Sequence, residues 1–258
     1  MKPDNTISGI HNWCDRWCER CSFVARCTMG VIEQKRWAKG KDWTSEDYFA
    51  EFEKMFEGVE DKMAERMDEL GIDWNEILNE PLPGPGLQAE AHQNAMRERG
   101  MRYYRAVNAF FKENEAAFKA KGVDIFGERE EPIGPYPDDR SELADAVDVI
   151  RWYLHFQFVK AQRAIGGMED MHESYWGGPQ QSDANGSAKI AMIAAGRSIG
   201  AWEVLRRYFS DKNSAITEFQ AQLEQFRRIM GRLFPDWQKF VRPGFDTEPP
   251  PFGRLEPN

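Results

Sequence analysis

All four cysteines of the chain, Cys14, Cys18, Cys21 and Cys27, fall within fourteen of its 258 residues. A secreted disulfide scaffold spreads its cysteines to staple distant loops; thiols bunched in this way in a reducing compartment read as metal ligands. The spacing is C-x3-C-x2-C-x5-C. Read as one helix starting near Asn12, with Asp15 in its first turn, it places Cys14, Cys18 and Cys21 on a single stripe, because positions i, i+4 and i+7 share a face. Cys27 falls off that stripe. The chain must therefore turn between Ser22 and Arg26 if all four sulfurs are to meet.

The same geometry bears on the choice of metal. Seven residues of straight helix separate the Cα atoms of Cys14 and Cys21 by about 10.5 Å. A single zinc, with Zn–S near 2.3 Å, allows two ligand Cα atoms at most roughly 9 Å apart. An iron–sulfur cluster presents separate corner irons and accepts a wider ladder of thiolates, so a [4Fe–4S] cluster is placed ahead of structural zinc. Helix-dipole charge and the cations of Arg16, Arg20 and Arg26 are expected to favour deprotonated sulfur. Trp13, Trp17 and Phe23 are placed to exclude water, and His11 is read as a solvent-facing residue before the helix.

Over eight residues, Cys14 to Cys21, the spacing is similar to the C-x3-C-x2-C of the radical S-adenosylmethionine enzymes. In that family three cysteines hold a [4Fe–4S] cluster on a loop after the first strand of an α/β barrel. Here a fourth cysteine follows closely and the remaining pattern is helical, so the resemblance is confined to the spacing.

The elements that must position these thiols read as helices throughout, since apolar residues recur at three and four and seldom alternate. Helices are expected from Thr44 or Ser45 to Leu70, from Leu87 to Lys121 with a break or bend at Gly100, and from Ser141 to Ile165. Two more run from Ser187 to Phe209 and from Ser214 to Phe234, with a further turn after Pro235. The fold expected is all-α, a bundle of about six helices with an N-terminal cysteine-rich metal-binding helix or loop. Residues 1–242 form one helical domain, in which 1–40 is the cysteine-rich segment and 122–140 the place for a subdomain break. Residues 243–258, with Pro249-Pro250-Pro251, are expected to form a disordered tail.

Three further constellations carry chemistry. The helix from Ala188 to Leu205 is apolar or small nearly all round, so Arg197 and Lys189 on it are candidate anion-binding residues lining a pocket in the bundle, with an internal salt bridge as the alternative for Arg197. On the preceding helix His155, Asp148 and Lys160 fall on or between two apolar stripes and must be paired where they are buried. Glu169 and His172 form one E-x-x-H, the pair used in dimetal helical-bundle oxidases, but such sites use it twice and no second copy is present. Asp183 to Ala194 opens like a calcium loop but lacks the closing glutamate. No nucleotide loop or hydrolase fingerprint appears.

A net charge of −9 disfavours nucleic acid and anionic membrane as partners, since both require a cationic face. No signal-like or membrane-length apolar run is present, so the chain reads as cytoplasmic. The function expected is electron transfer or redox sensing through the cluster, with a protein partner. The alternative is a structural-zinc scaffold for protein–protein interaction.

Overall fold

The computed structural model describes residues 5–56, 87–127, 141–168 and 178–247, together with Glu65 and Glu69. It is all-helical, with six α-helices and no strand among the described residues. They are α1 (Thr28–Lys39), α2 (Ser45–Phe56), α3 (Leu87–Lys119), α4 (Glu142–Gly166), α5 (Asp183–Tyr208) and α6 (Asn213–Leu233).

The bundle proper is α3 to α6. On α6, Ile216, Phe219, Leu223, Phe226 and Met230 are buried at helical spacing, an apolar face that has to be covered. It closes on Met96, Tyr103, Val107, Phe110, Phe111 and Phe118 of α3 and on the central pair α4 and α5. Trp202 of α5 is fully buried, with its ring 4.7 Å from Phe219 and its indole N–H donating to the Tyr103 hydroxyl at 2.8 Å. The antiparallel α4 and α5 pack along their length, from Tyr153 against Arg197 to Gly167 against Ala184. The small residues Ala184, Ala188, Ala191, Ala194 and Ala195 of α5 are all buried. They let the two backbones approach closely.

Helix boundaries follow local chemistry. Ser141 caps α4 as expected, its hydroxyl accepting from the Ala144 N–H. Helix α5 begins at Asp183, four residues before the expected start, because Ser182 is the cap and accepts from the Asn185 N–H. Helix α3 runs unbroken through Gly100, where the Phe158 ring lies 2.8 Å from the place a Cβ would occupy. The glycine there serves close packing. The short 3₁₀ turn Trp237–Lys239 stands where the turn after Pro235 was expected.

The largest difference from expectation is in the cysteine segment, which forms no α-helix. Residues 11–27 are turns and two 3₁₀ turns, Cys18–Arg20 and Val24–Arg26, and regular helix begins only at Thr28. Arg16 has φ of 59°, a left-handed conformation that ends any helix begun at Asn12. The described residues at the start of the C-terminal segment also depart from expectation. Residues 243–247 are folded, with the Phe245 ring 5.2 Å from Phe23 and Asp246 bonded to Arg242. Val123 and Ile125, at the expected subdomain break, belong to the main core. The rest of the helix expected to reach Leu70, the Glu169/His172 motif and the proline run lie outside the described residues.

Candidate metal centre

The cysteine segment is a strap laid across α4 and α5 and anchored at each step by a named contact. At its start Trp13 lies on Gly186 of α5, where an added Cβ would sit 2.4 Å from the indole. Only glycine admits the ring there. The Trp13 indole N–H donates to Asp183 at 3.0 Å, and Asp183 also receives two hydrogen bonds from Arg163. Next, the Asp15 carboxylate accepts from the Tyr153 hydroxyl and from Arg197 Nη1, both at 2.7 Å, and the Trp152 indole N–H donates to the Asp15 carbonyl. Trp17 stacks on Trp152 at 5.0 Å with an interplanar angle of 13°. Arg20 covers the Trp17 ring at 4.0 Å and reaches Asp145 and Asp148 of α4.

Beyond Arg20 the strap turns into a small second core. Phe23, Cys27, Met29, Ile32 and Ile10 are buried together, with Ile7, Cys21, Trp43, Tyr48 and Phe245 packed against them. The turn required between Ser22 and Arg26 is present as the 3₁₀ turn Val24–Arg26, which delivers Cys27 to the start of α1.

Besides burial, charge on other cysteines raises the pKa of three thiols: Cys27 acts on Cys14, Cys14 and Cys21 on Cys18, and Cys14 and Cys27 on Cys21. Two of the sulfurs receive backbone N–H groups two residues on, from Arg16 to Cys14 at 3.4 Å and from Phe23 to Cys21. Cys14 in turn donates to the His11 carbonyl. All four are free thiols. Among the described residues no three His, Cys, Asp or Glu side chains are grouped so that a metal ion could be held between them.

Electrostatics differ from the sequence expectation. Burial pushes the Cys14, Cys18 and Cys21 thiols up, Cys21 to about 12, and outweighs the nearby cations. Two of the three arginines are engaged elsewhere, Arg20 with two aspartates and Arg26 with the Asn5 carbonyl, while Arg16 acts on Cys14 and lowers its pKa. No helix dipole acts on these sulfurs either, since no α-helix carries Cys14 to Cys21. Burial thus favours the protonated form of Cys14, Cys18 and Cys21, and a metal would have to displace their protons. His11 is partly buried rather than free in solvent, and burial followed by Arg16 lowers its pKa.

The two candidate anion-binding residues are occupied by the protein itself. Arg197 is held by Asp15 and, at 2.6 Å, by the Tyr153 hydroxyl. Lys189 bonds the Phe240 carbonyl at 2.5 Å and pairs with Asp246 at 2.8 Å. Of the polar groups on α4 expected to need partners, Asp148 meets Arg20 and His155 stacks on Tyr104 at 4.1 Å. Lys160 bonds the Asn12 carbonyl at 3.4 Å and lies over the Phe156 ring at 5.6 Å. Sequence reasoning missed Asp15, Tyr153 and Trp152 as the fastening of the strap. Their signal, a carboxylate between two of the cysteines and an adjacent aromatic pair on α4, acquires meaning only once the strap is docked.

Compared with family models, curated proteins and solved structures, the chain matches none.

Proposed function

We propose that the protein binds a [4Fe–4S] cluster through Cys14, Cys18, Cys21 and Cys27 and serves one-electron transfer or redox sensing. The observation that carries this reading is that all four cysteines, each a free thiol, lie within fourteen residues on one strap that holds no α-helix. A centre with four metal corners suits such a spacing better than one ion does. Four thiolate ligands leave no iron with an open position, which favours electron transfer or sensing over Lewis-acid chemistry. The Trp17–Trp152 stack beside Cys18 has its outer ring 36% exposed, so a protein redox partner has an aromatic approach to the centre. Such a centre belongs in a reducing compartment such as the cytoplasm.

Structural zinc is the second reading. With the cysteine segment not helical, the length of a straight helix no longer counts against one ion. The tight 3₁₀ turn from Cys18 to Cys21 and the backbone N–H groups facing sulfur also suit a zinc knuckle. In this reading the metal fastens the strap and a partner docks on the bundle.

Anaerobic reductive titration followed by visible absorption tests the first reading. The wild-type protein is expected to be brown, with a broad band near roughly 400 nm that bleaches on addition of one electron. Cys27→Ser is expected to lose that band or convert it to a less stable cluster. A colourless, redox-silent wild-type protein would overturn the cluster and leave the zinc scaffold.

A further inference from the structure

The Asp15 carboxylate is received by side chains of α4 and α5. Arg197 Nη1 and the Tyr153 hydroxyl both donate to its Oδ2 at 2.7 Å, and Arg197 Nη1 also donates to the Tyr153 hydroxyl at 2.6 Å. Tyr153 is only 1% exposed, so its hydroxyl is held where the helix puts it. A guanidinium and a phenol converging on one carboxylate oxygen make a strong receptor for that group.

The polar surface continues beyond what Asp15 uses. Tyr153, Gln157 and Lys160 stand at i, i+4 and i+7 of α4 and so share one face. Gln157 is fully buried, with neither amide atom partnered. Lys160 is nearly buried too, and the groups it meets, the Asn12 carbonyl and the Phe156 ring, are both uncharged. Buried polar groups are ordinarily bonded, and an apolar side chain at Gln157 would pack without that cost. A ligand that places a carboxylate where Asp15 now lies, and carries further polar atoms along the stripe, would satisfy them. The Asp15 end is reachable from solvent, since the Arg197 and Asp15 side chains are 35% and 20% exposed. Withdrawing Asp15 breaks no helix either, because residues 11–17 are turns and extended chain.

We propose that Arg197, Tyr153 and Gln157 form a binding site for a small organic carboxylate, that Asp15 fills it as an internal stand-in, and that the ligand enters by displacing Asp15 and so loosens the strap. A short dicarboxylate fits best, with one carboxylate on Arg197 and Tyr153, its chain over Gln157 and the second carboxylate toward Lys160. The inference does not depend on what the cysteines bind. Because the site is vacant only while Asp15 is withdrawn, the apparent affinity falls by that fraction, and removing the internal competitor restores it.

The test is calorimetric titration of the full chain with succinate, in the wild type, Asp15→Asn, and Asp15→Asn combined with Gln157→Leu. Asp15→Asn is expected to bind about tenfold more tightly than the wild type, and the double variant to lose that gain while keeping its helical content. In the wild type, saturating succinate is expected to speed hydrogen exchange at residues 11–20. Equal affinity in the wild type and Asp15→Asn, or saturable binding by neither, would overturn the site and leave Asp15 and Arg197 as an internal ion pair only. If Asp15→Asn does not fold, the wild type decides: exchange at residues 11–20 that succinate leaves unchanged would overturn the proposal equally. None of these outcomes bears on the cysteine centre.

Discussion

The molecule has two cores of different character. The core of α3 to α6 is large and aromatic, built on Trp202, Phe110, Phe111, Phe118 and Phe219. The second, around Phe23, Cys27, Met29, Ile32 and Ile10, is too small to hold a chain of this length by burial alone. What fastens it to the bundle is directional: Trp13 to Asp183, Tyr153 and Arg197 to Asp15, Trp152 to the Asp15 carbonyl, and Arg20 to Asp145 and Asp148. The bundle is thus stabilised by what it removes from water, and the strap by what its polar groups bond. A region of the second kind tolerates the polar and charged groups that a metal centre needs.

The sharpest way to separate the two is to damage the first. Trp202→Ala removes a fully buried ring and leaves the Tyr103 hydroxyl without its donor, and is expected to cost about 3–5 kcal/mol in denaturant unfolding. The midpoint of the whole bundle should move. Metal removal addresses the other region. Stripping the centre with a chelator under oxidising conditions is expected to expose the amides of residues 11–27 to hydrogen exchange while α3 to α6 keep their protection. Equal loss of protection in both regions would mean that the cores are not separable.

Smaller effects sharpen the boundary. Arg197→Ala leaves the Asp15 carboxylate and Tyr153 hydroxyl facing each other without their cation. Because the Arg197 side chain is 35% exposed, the cost is put at about 2 kcal/mol, below that of a fully buried pair. It should appear first as faster exchange in the strap. The smallest effect is acid loosening at the C-terminal end. Against the cost of burial, hydrogen bonds from Arg242 and Lys189 hold the Asp246 carboxyl at about 2, below its ordinary 3.8. Unfolded chain therefore binds this proton more readily than folded chain, so the contribution is complete above about pH 4 and lost as pH falls through about 2. Asp246→Asn is expected to remove that part of the acid transition, read by exchange at residues 240–247.

The same division explains what was legible in the sequence. Helices α4 and α6 could be placed within a residue or two because burial of an apolar stripe imposes its own period, and Ser141 could be named as a cap because its chemistry is local. The cysteine segment was misread for the same reason. Spacings of four and three are those of a helix face, and nothing in the sequence marks Arg16, which is not a glycine, as left-handed. The folded end of the tail was hidden by its proline and glycine content, although Phe245 and Asp246 find partners in Phe23 and Arg242. The spacing did indicate where the chain turns, between Ser22 and Arg26. It could not reveal Asp15 and Tyr153, whose contacts depend on the strap lying across α4.

The most direct test of the central claim is iron, acid-labile sulfide and zinc analysis of the anaerobically purified full chain. The account predicts about four iron and four sulfide per chain and no stoichiometric zinc. One zinc per chain with neither iron nor sulfide would contradict it.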